Sequence, residues 1–299
     1  KTRTIEECSA PYDRKCCLTT AEMSSKSCPP VSPFVPRGKL MERYRTWTLQ
    51  ESFSFMAAGG SIARFGDGEI KATLGKHMVF QQWSEELAKG LKFVASFGGS
   101  PQEPPCLVVG TYPILDGNFS YFRKGARRRF AEAIYRIYTT GWQAIMPPGQ
   151  YGDAFVSRPD CVDNSTFPAI DFFTPHWQRV FQGKSVLLVR GGTNGQPSVT
   201  DHTVFDRHFK LAKNVTQLKS FPDTDGTIFD LMNSASDIFD KYVGIRNEIF
   251  RQMEKGDYDV IVLSLGGTAT ILAGELSCRG FWALDVGQFG GNYSKKGDE

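Results

Sequence analysis

Two carboxylates separated by a single glycine occur in the stretch SIARFGDGEIKA, residues 61–72. Asp67 and Glu69 follow a short apolar run and lie between glycines. Two acids this close repel each other, and a cation or a partner rich in hydrogen-bond donors relieves that repulsion. The spacing therefore predicts a ligand site, although a solvated turn remains the simpler structural alternative.

A second chemical motif is SLGGTAT, residues 264–270, which contains Gly267 and Thr268. Its glycines allow a ligand to approach the backbone closely, and Thr268 is a good cap for a helix whose amino end favours phosphate. The same pattern also suits a purely structural turn. It matches neither a Walker loop nor G-x-G-x-x-G. A diphosphate here and the acidic pair nearby call for a bridging Mg²⁺ or Mn²⁺.

Alternating apolar strands and helical segments are expected to position both motifs. This alternation predicts an α/β fold with a Rossmann-like, mostly parallel sheet and helices on both faces. In such sheets ligands bind at the carboxyl ends of the strands, where both motifs fall. The predicted elements are helices at 39–59, 121–141, 237–256 and 268–280, and strands at 61–65, 105–113, 184–192, 258–267 and 281–287.

Composition limits the classes of partner. The chain has 299 residues, 40% of them hydrophobic, and a formal charge of +3, which suits one large or two small globular domains. No run of basic residues interleaved with aromatics is present, which argues against nucleic-acid binding, and the basic cluster at 125–133 is interpreted as a solvated helix face. No window approaches a membrane span, so membrane contact is expected only through a possible anchor upstream of Lys1.

Cysteines concentrate near the amino terminus. Cys8, Cys16, Cys17 and Cys28 lie in a segment rich in Pro and Ser, which predicts a disulfide-tied stem in an oxidising compartment. Zinc is less favoured because paired C-x-x-C spacing is missing. Seven cysteines leave at least one unpaired, and Cys278 is expected to be that buried thiol.

Potential glycosylation acceptors support the same compartment. Four of the seven asparagines begin an N-x-[ST] sequon, against about one expected by chance. This excess favours the lumen of the secretory pathway, in the Golgi or endoplasmic reticulum, or secretion. The acceptor residues are Asn118, Asn164, Asn214 and Asn292.

Several blocks resemble the GT-D glycosyltransferase family in family order. They are SIARFGDGEIKATLGKHMVFQQWSEELAKGL, QYGDAFVSRP, HWQRVFQGKSVLLVRGG, DIFDKY and VIVLSLGGTATILAGELSCRGFWALDVG. The resemblance covers roughly residues 45–293, which leaves a Cys/Pro-rich stem at 1–44 and a polar tail at 294–299.

The resemblance implies a single domain that binds a nucleotide sugar, usually a UDP-sugar, through an Asp-x-Glu motif that serves a divalent metal and the diphosphate. Asp67 and Glu69 match that motif. The function so implied is a metal-dependent hexosyltransferase acting on a glycan or glycoprotein. Matching residue by residue gives the donor-site candidates Arg64, Gly66, Asp67, Glu69, Arg158, Arg190, Gly191, Gly267, Thr268 and Gln288.

The chain departs from the family pattern near its carboxyl end. Asp285 matches the acid of the closing D-[IV]-G block, but the His and carboxylate expected next are replaced by Gln288 and Asn292. Neither amide can accept a proton near neutral pH. The general base is therefore Asp285, Asp201 or Asp153, or the domain is a degenerate nucleotide- or glycan-binding module. A lumenal phosphohydrolase using the same acids is a third hypothesis.

Overall fold

The computed structural model describes residues 17, 28–35, 40–78, 81–101, 105–113, 135, 139–157, 169–191, 207–222, 227–231, 238–256 and 258–287. Eight strands form one sheet in which every neighbouring pair is parallel. They are β1 (Tyr44–Thr46), β2 (Ser61–Arg64), β3 (Leu107–Thr111), β4 (Gly149–Asp153), β5 (Ser185–Arg190), β6 (Asn214–Leu218), β9 (Val260–Ser264) and β10 (Ala283–Asp285). Two further strands, β7 (Ser220–Pro222) and β8 (Ile228–Asp230), form an antiparallel pair.

The strand order in the large sheet is β1-β4-β3-β2-β10-β9-β5-β6. From β2 the chain moves outward in one direction to β3 and β4, whereas β5, β9 and β10 lie on the other side of β2. β5, β9 and β10 follow one another in that same direction, so this run ends beside β2, and the carboxyl ends of β2 and β10 lie side by side, where ligands bind in such sheets. This confirms the predicted parallel α/β fold.

Helices cover the sheet in two packed groups. Within the described ranges the helices are α1 (Leu49–Ala57), α2 (Asp67–Thr73), α3 (Glu85–Ala95), α4 (Ala169–Phe181), α5 (Tyr242–Lys255) and α6 (Gly267–Cys278). Helices α2, α3 and α6 pack together, and α6 also packs on β2 and β10, whereas α1 packs against α4. Every residue of β2, β3 and β5 is buried, as expected for parallel strands covered on both faces.

The single helix predicted at 39–59 is wrong in its first half. A 3₁₀ turn at Leu40–Arg43 leads into β1, which pairs with β4, and α1 begins only at Leu49. A capping box fixes this start, because the Thr48 side chain accepts from the Glu51 N–H and the Glu51 carboxylate accepts from the Thr48 N–H. The helix predicted at 121–141 lies almost wholly outside the described residues.

The cysteine prediction needs a correction. Cys278 is not a free thiol, because it forms a disulfide with Cys17, and Cys28 forms another with Cys106. Cys278 ends α6, and Cys106 directly precedes β3, so both bonds tie the amino-terminal segment to the amino edge of the sheet. Over the part of the chain described here, the helices are too short or too polar to cross a bilayer.

Candidate functional site

The centre of the site is a buried junction between the carboxyl ends of β2 and β10. The Arg64 N–H donates to Asp285 Oδ2 at 3.0 Å, and the Gly287 N–H donates to Asp285 Oδ1 at 3.0 Å. The Thr270 hydroxyl lies 2.8 Å from Asp285 Oδ2 and 2.9 Å from the Arg64 carbonyl oxygen. Burial raises the pKa of Asp285, and the Arg64 charge and these donors partly offset that rise. Asp285 thus ties β2, β10 and α6 together.

The Arg64 guanidinium is held close to the backbone. Its Nε donates to the Ala154 carbonyl at 3.0 Å, and a Cβ placed on Gly287 would lie 1.7 Å from its Nη1. Gly287 also has a φ of 54°, so glycine is favoured there for two reasons. The positive charge of Arg64 lowers the pKa of Glu69, Asp153 and Asp285, against the larger effect of burial. The charge of one guanidinium therefore acts on three carboxylates at once.

The acidic pair forms the first turn of α2 rather than a free turn. Glu69 Oε2 accepts from the Gly66 N–H at 2.8 Å, and Asp67 Oδ2 is 2.7 Å from Lys71 Nζ. The helix dipole favours both negative charges at this end. Part of the repulsion between the acids is thus relieved within the chain. Burial still raises the pKa of Glu69 to about 7, and the nearby Asp285 adds to this effect.

The residues present fit a divalent cation whose coordination is completed by a ligand. Among the described residues, no group of three or more acidic, histidine or cysteine side chains is arranged to hold a metal ion by itself. Mg²⁺ and Mn²⁺ commonly take only one or two carboxylates and obtain further oxygens from phosphate and water. Asp67 and Glu69 supply such a pair, and a cation beside Glu69 would favour its ionised form.

The amino end of α6 lies beside the amino end of α2. A Cβ on Gly68 would be 3.2 Å from Met78 Cε, and one on Gly267 would be 3.3 Å from the same methyl group. Thr268 does not cap the helix as predicted, because Gly266, with a φ of 61°, is the cap residue. The Thr268 hydroxyl instead accepts from Gln81 Nε2 at 2.9 Å. The acidic and glycine-rich motifs are therefore neighbours, as a shared ligand would require.

Asp153 ends β4 and is fully buried. Its Oδ1 accepts from the Phe155 N–H at 2.8 Å, and its own N–H donates to Ser52 Oγ at 2.9 Å. Its Oδ2 has no hydrogen-bond partner in the described structure. Burial raises the pKa of Asp153 to about 7, and the charge of Arg64 opposes this.

The remaining predicted site residues lie farther out or outside the description. Arg190 is at the carboxyl end of β5, two strands from β10, and burial lowers its pKa to about 10. Gly191 serves packing, because a Cβ there would be 2.5 Å from Ile238 Cδ1. Asn214 is exposed at the start of β6. Arg158, Asp201, Gln288 and the sequons at Asn118, Asn164 and Asn292 lie outside the described residues.

Three residues of the site were missed by sequence reasoning. Thr270 had a signal, because it is a polar residue in a helix whose other residues are mostly apolar and which is buried along its whole length. Gly287 had a weaker signal, namely its position directly after Asp285 and Val286. Gln81 had none, since its contact with Thr268 joins residues 187 positions apart.

Comparison with known proteins identifies relatives of this architecture. A probable glycosyl transferase, Gly, from Streptococcus gordonii is 23% identical over 247 residues, which are 82% of this chain and 32% of that protein. The glycosyltransferase GlyD of Streptococcus pneumoniae is 25% identical over 241 residues, 78% of this chain and 25% of that protein. The chain thus spans about a third or a quarter of the length of these relatives.

A solved structure shows the same fold. It is described as a new glycosyltransferase (DUF1792) from Streptococcus sanguinis, and it superimposes with a TM-score of 0.64 at 20% identity, covering 83% of this chain and 82% of that one. The family described as glycosyltransferase GT-D fold matches residues 62–295, from β2 to beyond β10. Because this match covers most of the chain and contains the whole acidic and glycine-rich site, the chain belongs to the GT-D glycosyltransferase family.

Proposed function

We propose that this domain transfers a hexose from a UDP-sugar to a glycan or glycoprotein acceptor, with Mn²⁺ or Mg²⁺ bound at Asp67 and Glu69. One observation carries the proposal: the first turns of α2 and α6 both contact Met78 at the carboxyl edge of the sheet. The first turn of α2 contains two carboxylates, and the amino end of α6 is rich in glycine. A diphosphate between them would receive a cation from one side and helix amides from the other.

This function gives each residue of the site a role. Asp67 and Glu69 would hold the cation, which supplies positive charge to the departing diphosphate when it is bound. The amino end of α6 at Gly267 would orient the phosphates through its backbone amides. Arg64 and Asp285 would keep the ends of β2 and β10 in register, because their hydrogen bonds join those strands.

Asp153 is our candidate for the general base. A base works best when its pKa lies near the working pH, and burial gives Asp153 a pKa of about 7. Its Oδ2 also has no partner within the described chain, whereas both oxygens of Asp285 accept hydrogen bonds. Because Asp153 is fully buried, an acceptor hydroxyl reaches Oδ2 only after neighbouring residues move.

The first experiment is a thermal-shift titration with UDP, with and without Mn²⁺. A ligand at about 100 times its dissociation constant should stabilise the fold by about 2.7 kcal/mol. We expect this gain to require Mn²⁺ and to be lost in Asp67→Asn/Glu69→Gln. The matched control is Glu85→Gln/Glu86→Gln, which removes two exposed acids from the first turn of α3. Failure of every nucleotide to stabilise the wild type would overturn the proposal.

A binding module without turnover is the second candidate. The observation in its favour is the pair of amides, Gln288 and Asn292, at positions where the family pattern has a His and a carboxylate. Release of UDP from UDP-hexoses with acceptor glycans present, abolished by Asp67→Asn, would exclude this candidate. Stabilisation by UDP with no release from any donor would favour it over the transferase.

We also propose that the domain works in the lumen of the secretory pathway or outside the cell. Two disulfides join the amino-terminal segment to the sheet, and such bonds persist in oxidising compartments. Asn214, the sequon within the described chain, is exposed and accessible to a glycosylating enzyme.

A further inference from the structure

Gln81 lies over the amino end of α6, in the segment that joins α2 to α3. Its side chain is 9% exposed, and its Nε2 donates to Thr268 Oγ1 at 2.9 Å. Met78 from the same segment lies over Gly68 and Gly267. Gln81 and Met78 therefore cover the amino end of α6, and Met78 also contacts the amino end of α2.

The other atom of the Gln81 amide is left without a partner. Gln81 Oε1 is buried and has no hydrogen bond to any group in the described structure. It is aimed at the glycine turn, because a Cβ on Gly267 would lie 3.2 Å from it and one on Gly266 would lie 3.6 Å from it. A buried polar atom that lacks a partner destabilises the folded protein, so such an atom beside a ligand site calls for a bond from the ligand.

A hydroxyl group is the partner that fits this amide best. As oriented here, Oε1 needs a donor, which a phosphate oxygen is not. If the amide were turned over, Oε1 would accept from the Thr268 hydroxyl and Nε2 would face the turn. A hydroxyl can both donate and accept, so it satisfies either orientation, whereas a phosphate oxygen satisfies only one.

We propose that Gln81 is a specificity-determining residue that binds a hydroxyl group of the nucleotide-sugar donor, on the hexose or on the ribose. This assignment rests on the proposed function, because it takes the diphosphate to lie at the adjoining turn. Loss of the bond leaves one buried polar atom of Gln81 unpaired, which is how a hydrogen-bonding site discriminates against ligands that lack the hydroxyl.

The test compares Gln81→Met, which keeps the side-chain length but removes both polar atoms, with Gln82→Met. Gln82 is the exposed neighbour of the same residue type and serves as the matched control. Binding of UDP, UDP-hexose, and 2′-deoxy- and 3′-deoxyuridine diphosphate is measured by calorimetry with Mn²⁺ present. Thermal unfolding of each variant without ligand reports whether the fold is intact.

The expected result is a loss of affinity of roughly tenfold in Gln81→Met for the ligands that carry the hydroxyl, and less than about twofold in Gln82→Met. A loss for UDP-hexose but not for UDP places the hydroxyl on the hexose. A loss for UDP and UDP-hexose but not for one deoxy ligand places it on the ribose.

Two outcomes overturn the proposal while leaving the proposed function in place. One is an equal loss for all four ligands, which would mean a contact with the diphosphate or a structural role. The other is unchanged affinity in a folded Gln81→Met protein. A wild type that binds none of the four ligands would overturn the proposed function, and this assignment with it.

Discussion

The two edges of the sheet differ in how well their polar groups are paired. At the carboxyl edge, the charge of Arg64 acts on three carboxylates, and Asp153 Oδ2 has no hydrogen-bond partner in the described structure. The amino edge is held by two disulfides and by paired backbone groups. At the amino edge Trp282 Nε1 donates to the Gly60 carbonyl at 3.0 Å, and the Ala283 N–H donates to Ser61 Oγ at 3.0 Å. Proteins commonly tolerate unsatisfied groups at functional sites and obtain their stability elsewhere. In this protein the carboxyl edge contains the candidate site, and the amino edge contributes stability.

The largest expected effect comes from removing the carboxylate that joins β2, β10 and α6. Asp285→Ala should lower the free energy of unfolding by about 3–5 kcal/mol, because it leaves the Arg64 N–H and the Gly287 N–H without their acceptor and removes one partner of the Thr270 hydroxyl. At the amino edge, Asp259 is exposed and accepts one hydrogen bond from the Ser185 N–H, so Asp259→Ala should cost about 1 kcal/mol. Urea unfolding measures both, and equal losses would contradict the comparison.

The second prediction concerns pH. Burial raises the pKa of Asp153 from 3.8 to about 7, so between these values the folded state binds a proton that the unfolded state has released. The contribution of Asp153 to the free energy of unfolding should therefore fall as pH rises through this window, by roughly 4 kcal/mol at most, and level off above it. Burial lowers the pKa of His208 from 6.5 to about 3, so His208 contributes in the opposite direction below pH 6.5, and the Asp153 contribution is read from the difference between the wild type and a variant. Glu69 contributes in the same direction as Asp153, since burial raises its pKa to about 7 as well.

Asp153→Asn should remove the Asp153 contribution, while the contributions of Glu69 and Asp285, whose pKa values burial also raises, remain. Stability curves between pH 4 and pH 8 measure this, and Asp259→Asn is the control at the amino edge. A variant whose curve parallels that of the wild type would show that Asp153 does not titrate in this range.

The third prediction tests the disulfide nearest the core strands. Cys28→Ser/Cys106→Ser should lower the free energy of unfolding by about 2–4 kcal/mol, because the bond closes a long loop in the unfolded chain. Affinity for UDP with Mn²⁺ should not change, since the bond lies at the edge away from the site. Weakened binding at temperatures well below unfolding would show that the edges are coupled.

The fourth prediction compares two glycines with positive φ. Gly183 has a φ of 68° and open space where an added methyl group would lie, so Gly183→Ala should cost about 1 kcal/mol from backbone strain alone. Gly287→Ala would also displace the Arg64 guanidinium, adding about 1–3 kcal/mol and lowering transfer activity about 100-fold. Matching losses of stability and activity in the two variants would contradict this account of Gly287.

The smallest effect is expected at Asn214. Asn214→Gln changes an exposed side chain at the amino end of β6, so stability should change by less than about 0.5 kcal/mol and transfer activity should be retained. Expression through a secretory pathway followed by mass spectrometry should show the loss of one glycan. Absence of a glycan at Asn214 in the wild type would remove this support for a lumenal location.

Local sequence predicted much of this fold. The strands β2, β3, β5, β9 and β10 are short apolar runs bounded by glycine or polar residues, and they lie where the sequence places them. Helices that separate consecutive strands favour parallel pairing, and parallel pairing places the residues after β2 and β9 at one edge. That is why both motifs could be predicted to lie at the same edge from the order of elements alone.

The pattern failed where pairing across the sheet overrides local periodicity. Residues 44–46 carry helix-like spacing but form β1, because β4 offers them a strand to pair with. Cys278 looked like an inert thiol in an apolar helix, but the end of that helix meets the segment that holds Cys17. Neither partner is visible from the neighbouring sequence.

The sequence by itself determined the chemistry available to this protein: the acidic pair, the glycine-rich turn, the parallel sheet and the family. Only the tertiary structure decided which groups act together. The Thr270 hydroxyl reaches the Arg64 carbonyl across 206 residues of chain, and Gln81 reaches Thr268 across 187. Contacts of that separation depend on strand order and helix packing, which local propensities do not encode.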